Sequence, residues 1–360
     1  MNIFKGLDFG IVIPSFLLLC ISLIILSSVD MGLFQNQLLF AIVGIVCFLF
    51  FSSVHVGSLR NLHLVIYISS LLLLTSLFFL GSEVRGARRW VTLAGVNIQF
   101  SEVVKPFLIV AFSSFLSLSG GRMSPRRFLL CCGLFLPIFF LLLAQPDLGS
   151  GLIYGIAFVA MLLAGGMNIW YIAGGILFLA VLSPFLWQIL ADYQRDRIIS
   201  FINPKHDPLG IGYNAIQSAI AVGSGLLLGR GLGRGVQSQL SFLPERHTDF
   251  IFATFSEEFG FMGSAIVLLL YFILFLRLLR VARDARDTFQ SFVVIGIFAL
   301  LLSQTFINIG MNIGLVPITG VTLPLLSYGG SSLISTMILL GFSNAISRDA
   351  REKQETLEIR

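Results

Sequence analysis

Five acidic residues and one lysine stand where an apolar chain can least easily keep them. Glu102 and Lys105 open one long apolar run, Asp147 lies in Gln145-Pro146-Asp147 between two others, and Asp249 starts a fourth, with Glu257 and Glu258 two to three helical turns further in. An ionisable group inside a membrane costs roughly 2.5–3.5 kcal/mol on insertion scales, so each needs a reason. An unpaired carboxylate in such a place can act as a general base. Arg88, Arg89, Arg246 and Lys105 bring cations to the same level, which suits a substrate with a phosphate head and a lipid tail. Each residue also has a plainer reading. Glu102 and Lys105, at i and i+3, share a helix face and can simply neutralise each other. Asp147 and Asp249 can each cap a helix, and the Arg85–Arg89 stretch can rest among lipid headgroups.

The elements that hold these residues are membrane helices. Of 360 residues, 56% are hydrophobic and 11% charged, against roughly 25% charged in a soluble domain. Apolar runs fall at 9–29, 38–55, 62–80, 102–118, 128–144, 148–165, 168–190, 250–276, 289–311 and 324–346. Each is long enough to cross a hydrocarbon core of about 30 Å at about 1.5 Å per residue. The expectation is a single all-α integral membrane domain over 1–360, a bundle of about ten transmembrane helices. A long structured outer loop, 191–248, joins helices seven and eight, and a cytoplasmic tail covers 347–360. Within that loop Ile211–Leu228 is apolar enough for an interfacial or re-entrant helix. Lys5, Arg60, Arg126, Arg127, Arg277, Arg283, Arg348 and Lys353 fall on one side, and short loops on the other hold Arg85, Arg88 and Arg89. The positive-inside rule puts both termini in the cytoplasm and the acidic groups at the outer face of the inner membrane. Topology and anionic lipid account for the basic loops without nucleic acid.

Other patterns carry less. Cys20, Cys47, Cys131 and Cys132 sit in apolar runs without metal-ligand spacing. Gly229-Arg230-Gly231-Leu232-Gly233-Arg234-Gly235 lacks the strand that a nucleotide-binding loop follows and reads as a flexible turn. No Gly-x-Ser-x-Gly elbow exists, and His247 has no second His at ligand spacing.

Longer strings are more telling. Phe242-Leu243-Pro244-Glu245-Arg246-His247-Thr248-Asp249-Phe250, with Glu257-Glu258-Phe259-Gly260, resembles the centre of the SEDS family (shape, elongation, division and sporulation proteins). So do Asn308-Ile309-Gly310-Met311-Asn312 and Leu325-Leu326-Ser327-Tyr328-Gly329-Gly330-Ser331-Ser332. Gly86-Ala87-Arg88-Arg89-Trp90, Ser101-Glu102 with Lys105, Gln145-Pro146-Asp147-Leu148-Gly149 and Asp207-Pro208-Leu209-Gly210 extend the match from about 81 to 345 in the family's order. Phe100 stands where the family usually has Pro. Arg246 is similar to the elongation (RodA) branch, where the division (FtsW) branch usually has Ala.

The resemblance implies a peptidoglycan glycosyltransferase that joins lipid II to a nascent glycan strand. It implies a class B penicillin-binding protein (a transpeptidase) as partner, with the elongation proteins MreC, MreD and RodZ. It makes Asp249 the catalytic base and Glu102, Lys105, Arg88, Asp147, Arg246, His247 and Ser327 substrate-binding residues. A divalent cation, Mg2+ or Mn2+, is an optional helper with no assigned ligands. The main rival is a lipid II flippase; transporter sites lie near the midplane, whereas these charges gather in the outer half.

Overall fold

The computed structural model describes residues 6–84, 87–93, 96–118, 123–190, 192–203, 210–240 and 242–358. The chain begins with α1 (Phe9–Val29) and α2 (Met31–Ser53), then a short α3 (Val56–Leu59) that leads into α4 (His63–Leu80). A tight turn joins the first two: Asp30 ends α1 and its carboxylate accepts the Gly32 and Leu33 amides that start α2.

The next segment departs from an all-α fold. Strands β1 (Ser82–Val84), β2 (Ala87–Leu93) and β3 (Val96–Gln99) form an antiparallel meander in the order β1-β2-β3, with Trp90 opposite Gln99. Val84, Val91, Thr92, Val96 and Ile98 favour a pleated surface. The expected fourth helix is also split, into α5 (Phe100–Val103) and α6 (Lys105–Ser117). Pro106, in the first turn of α6, has no N–H to give to a preceding turn, so the helix restarts there.

The rest is helical: α7 (Pro125–Ala144), α8 (Leu148–Ala164), α9 (Ile169–Ile189), α10 (Asp192–Ile202), α11 (Ile211–Ser224), α12 (Val236–Gln239), α13 (Ile251–Asp284), α14 (Thr288–Asn312) and α15 (Gly330–Glu358). Eight of the ten expected apolar runs fall each on one helix, the run 102–118 is divided between α5 and α6, and the run 324–346 begins six residues before α15. Among the described residues, seven helical stretches are long and apolar enough to cross a membrane, and α6, α8 and the stretch Ile169–Phe185 of α9 are apolar but shorter. One buried cluster joins α1, α2, α13, α14 and α15, and a second joins α4, α6, α7 and α8. Large apolar side chains such as Phe79, Leu129, Phe178 and Phe272 remain exposed, as lipid-facing surfaces require.

The stretch 191–248 is mostly structure. α10, α11 and α12 lie in it, and α11 packs along α13. The turn after α11 fills a break in α13 at Gly260, whose φ of 66° and ψ of −164° suit only glycine. Phe261 and Met262 N–H groups, which the break frees, donate to Leu226 and Leu227 carbonyls at 2.8 and 3.0 Å. In return Arg230 and Gly231 N–H groups donate to the Glu257 and Glu258 carbonyls, each at 3.0 Å. The glycine-rich segment is therefore a fitted plug and not a loose turn. Backbone left unpaired inside a bilayer costs several kcal/mol per group, which explains why the fit is so complete.

Both chain ends meet at the end of the bundle opposite the start of α13. The Asp8 N–H donates to Asn344 Oδ1 at 2.7 Å, and its carboxylate receives Arg277 and the Ser347 hydroxyl. Burial pushes the Asp8 carboxyl up, but bonds from Arg277 and Ser347, with the charges of Arg277 and Arg351, outweigh it and hold it below 3.8.

Candidate active site

Asp249 ends a tight turn, Glu245–Phe250, in which the Glu245 carbonyl accepts the Thr248 and Phe250 N–H groups at 3.1 and 3.2 Å. α13 starts two residues later and its N-cap is Phe250, so Asp249 stands just outside the helix and does not cap it. Asparagines do the fixing. Asn308 and Asn312, one turn apart on α14, both donate from Nδ2 to the Asp249 carbonyl at 3.0 Å. The Asn312 Oδ1 accepts the Ala253 N–H at 3.0 Å, which satisfies one of the orphan donors of α13. Both asparagines are fully buried. The Asp249 backbone is thus held rigidly, and its carboxylate faces Gly320: a Cβ added there would lie 3.4 Å from Oδ2.

The segment 323–329 braces the same turn from its other side. Ser327 donates to the Thr248 carbonyl at 2.6 Å and accepts the Leu323 N–H at 2.8 Å. Its hydroxyl, expected to bind substrate, serves backbone partners and is buried. Tyr328 N–H donates to the His247 carbonyl at 2.8 Å, and the two rings meet edge to face at 5.7 Å. Gln37 of α2, a residue that the sequence reading passed over, locks this segment in place. It is fully buried, donates to the Ser327 carbonyl and accepts the Gly329 N–H, both at 3.2 Å. Glu245 and Leu325 have φ of 52° and 67°, so uncommon backbone gathers on both sides of the turn.

The other expected residues form a second group. Lys105 meets Glu102 at 2.5 Å with both side chains buried, a closed ion pair. Asp147 caps α8 by accepting the Ser150 N–H at 3.2 Å, and also accepts Gln99 Nε2 at 3.1 Å and Ser101 Oγ at 3.0 Å. It thereby ties the sheet and α5 to the α7–α8 turn. The loop 319–321 joins the two groups: Gly149 packs against Thr319 and Val321, Gly320 faces Asp249, and the Val321 carbonyl accepts Asn308 Nδ2 at 2.7 Å. Arg88 belongs to β2, and its side chain lies outside the described residues, as does Asp207-Pro208-Leu209.

Arg246 and His247 line a cleft of about 520 Å³, with Glu245 on the same wall and Asp30 and Asn36 on the facing one. Glu257 and Glu258 do not reach the site. Glu257 accepts the Gln237 and Ser238 N–H groups at 2.9 and 3.0 Å, and Glu258 accepts Ser28 Oγ and Gln239 Nε2. Both anchor α12, the short helix that follows the plug. Among the described residues, no three His, Cys, Asp or Glu side chains group as metal ligands.

Comparison with known proteins identifies the family. Residues 5–352 match the FtsW/RodA/SpoVE family, described as cell cycle proteins. The peptidoglycan glycosyltransferase MrdB of Escherichia coli K12 is 35% identical over 349 residues, 94% of each chain. A solved chain from work on polymerization and crosslinking by a peptidoglycan synthase complex superposes with a TM-score of 0.82 at 32% identity, covering 96% of this chain and 98% of its own. The rod shape determining protein RodA of Thermus thermophilus gives 0.72 at 28% identity over 95% and 97%. Stage V sporulation protein E of Bacillus subtilis is 38% identical, and a probable peptidoglycan glycosyltransferase FtsW of Aliivibrio salmonicida 40% identical. Whole-length agreement in sequence and fold makes this chain a member of the FtsW/RodA/SpoVE family, the SEDS proteins.

Proposed function

We propose that this protein is a peptidoglycan glycosyltransferase of cell elongation, joining lipid II to a nascent strand at the outer face of the cytoplasmic membrane. The observation that carries the reading is the fixing of Asp249. Two buried asparagines and the Ser327–Tyr328 brace hold its backbone, while its carboxylate faces the 319–321 loop. Such preorganisation is what a base needs and what a structural carboxylate does not.

In this mechanism Asp249 takes the proton of the acceptor's GlcNAc 4-hydroxyl as that oxygen attacks the donor's anomeric carbon. The carbon inverts from α to β, and undecaprenyl pyrophosphate leaves with the bonding electrons. Arg88 is the cation for that leaving group, whereas Arg246 shares its cleft with Glu245 and Asp30 and is left to the acceptor. Lys105 is already neutralised by Glu102, so with Asp147 it shapes the site instead. A divalent cation fits as a companion of the pyrophosphate, since Mg2+ commonly takes one or two protein carboxylates and substrate phosphates for the rest. No residue is assigned as its ligand, and the ion would supply charge neutralisation.

The elongation assignment rests on Arg246 in the Pro-Glu-Arg-His-Thr-Asp string. A class B penicillin-binding protein is the expected partner, in keeping with the similarity to a chain of a synthase complex, and MreC, MreD and RodZ complete the expected assembly. The test is polymerisation of purified lipid II with the transpeptidase present. Asp249→Asn keeps size and backbone contacts but removes basicity, so a loss of about 10²–10⁴-fold in rate is expected. A folded Asp249→Asn protein that polymerises at the wild-type rate refutes the assignment of the base. Vesicle transport of lipid II without polymer from the wild type would favour a flippase.

A further inference from the structure

The cleft beside the Asp249 turn has two walls of different origin. One is the 243–247 segment. The other is the α1–α2 turn and the start of α2, which no motif marked, and which presents Asp30 and Asn36. Its volume of about 520 Å³ falls within the roughly 300–1,000 Å³ usual for small-molecule sites.

Its charge decides what it takes. Asp30 and Glu245 set two carboxylates against one guanidinium, Arg246, and one imidazole, His247. That lining has no surplus of positive charge, so it is poorly suited to a pyrophosphate and well suited to neutral hydroxyl and amide groups. In the proposed reaction the two substrates differ at this point. The donor's reacting carbon is bonded to its pyrophosphate, whereas the acceptor's attacking hydroxyl belongs to a sugar one residue removed from any phosphate. Position agrees with charge, since His247 lies two residues before Asp249 and its carbonyl is pinned by Tyr328.

Resting on the glycosyltransferase reading, we infer that this cleft is the acceptor-sugar subsite and that Asn36 is a substrate contact in it. Asn36 is exposed. Its amide offers two donors and an acceptor, the complement that hydroxyl and acetamido groups require. Gln37, the next residue, fixes this wall against the segment that holds the Asp249 turn.

The experiment separates the two substrates. Lipid II with its 4-hydroxyl capped can act only as donor, and a lipid II analogue with a non-cleavable C-glycosidic phosphonate in place of the anomeric pyrophosphate linkage can act only as acceptor; each is titrated against the other, with the transpeptidase present. Asn36→Ala is expected to raise KM for the acceptor about fivefold to tenfold, the size of one lost hydrogen bond, with the KM for capped donor unchanged. Gln35→Ala, an exposed neighbour that does not line the cleft, should change neither. A shift in donor KM alone, or no shift in either, overturns the subsite. Failure of the wild type to form polymer from ordinary lipid II would instead sink the glycosyltransferase reading.

Discussion

Replacing Gly260 by Ala tests whether the glycine-rich plug and the α13 break are one fitted unit. The residue has φ 66° and ψ −164°, a conformation nearly confined to glycine, and forcing alanine into it costs of order 1–3 kcal/mol. Sterics add to that strain. The new methyl would meet the Gly225 carbonyl oxygen and the Leu227 carbonyl carbon at 2.8 Å, and the Gly229 nitrogen more closely still. All three are backbone atoms that cannot rotate aside. The plug must move, and its four bonds to residues 257, 258, 261 and 262 weaken together. At about 1 kcal/mol each for bonds lost with partial resolvation, the sum with the strain is about 5–7 kcal/mol. That is comparable to the whole stability of many domains, so little folded protein is expected. Gly233→Ala is the matched control: φ is also positive, at 72°, but nothing lies within 4 Å of the added methyl. It should cost about 1–2 kcal/mol. The assay is thermal unfolding of detergent-solubilised protein followed by size-exclusion profile. Gly260→Ala and Gly233→Ala melting within a few degrees of each other would refute the plug argument.

Gln37→Leu should remove two buried hydrogen bonds of the Ser327–Gly329 segment at a cost of about 1–3 kcal/mol. The folded fraction should polymerise with kcat lowered at least about tenfold and KM little changed, the mark of a misplaced base; an unchanged kcat would show that the brace is dispensable. Lys105→Met leaves the Glu102 carboxylate buried without its cation, which should cost about 3–5 kcal/mol. The exchange Glu102→Lys with Lys105→Glu should restore both folding and activity if the pair is a brace; a folded, inactive exchange protein would place one of the two on the substrate. Asp8, whose carboxyl is held below 3.8, contributes stability that is complete above that value and lost as pH falls through its lower folded value. Asp8→Asn should therefore lack this part of the wild type's acid destabilisation, and superimposable acid profiles of the two proteins would contradict the assignment.

The helical frame was legible because it depends on one bulk property, the length of apolar runs; only the split of 102–118 and the non-helical start of 324–346 depart from it. The meander at 82–99 was not, because three short strands carry no long-range period and charged residues masked their β-branched pattern. Asp249, Arg246 and His247 could be picked out by type and motif. Asn308 and Asn312 were visible only as parts of a string, since an uncharged amide in an apolar run gives no clue that it will clamp a carbonyl 59 and 63 residues away. Gln37 had no signal at all, because its partners are backbone atoms nearly 300 positions later. Ser327 is illegible for the same reason: a hydroxyl in a glycine-rich string looks available until the turn it braces is in place. Glu257 and Glu258 follow that pattern, with acidity suggesting chemistry and the fold spending it on groups of α12 and on Ser28.

The ties between the first helices and the last also govern the order in which the molecule can be completed. Asp8, Ser22 and Gln37 are all buried, and each finds its partner between Leu326 and Ser347. When the ribosome has delivered only α1 and α2, Asp8 can already cap α1 through the Gly10 N–H, but the partners that Ser22 and Gln37 take in the finished fold lie at Leu326 and beyond. The opening hairpin must therefore wait, loosely packed, for some 300 residues of synthesis until α15 slides in beside α2. α15 then acts as a keystone: a chain stopped before it lacks one helix of ten in mass, yet loses the closing step of assembly, and so should behave as an unassembled protein and not as a slightly weakened one.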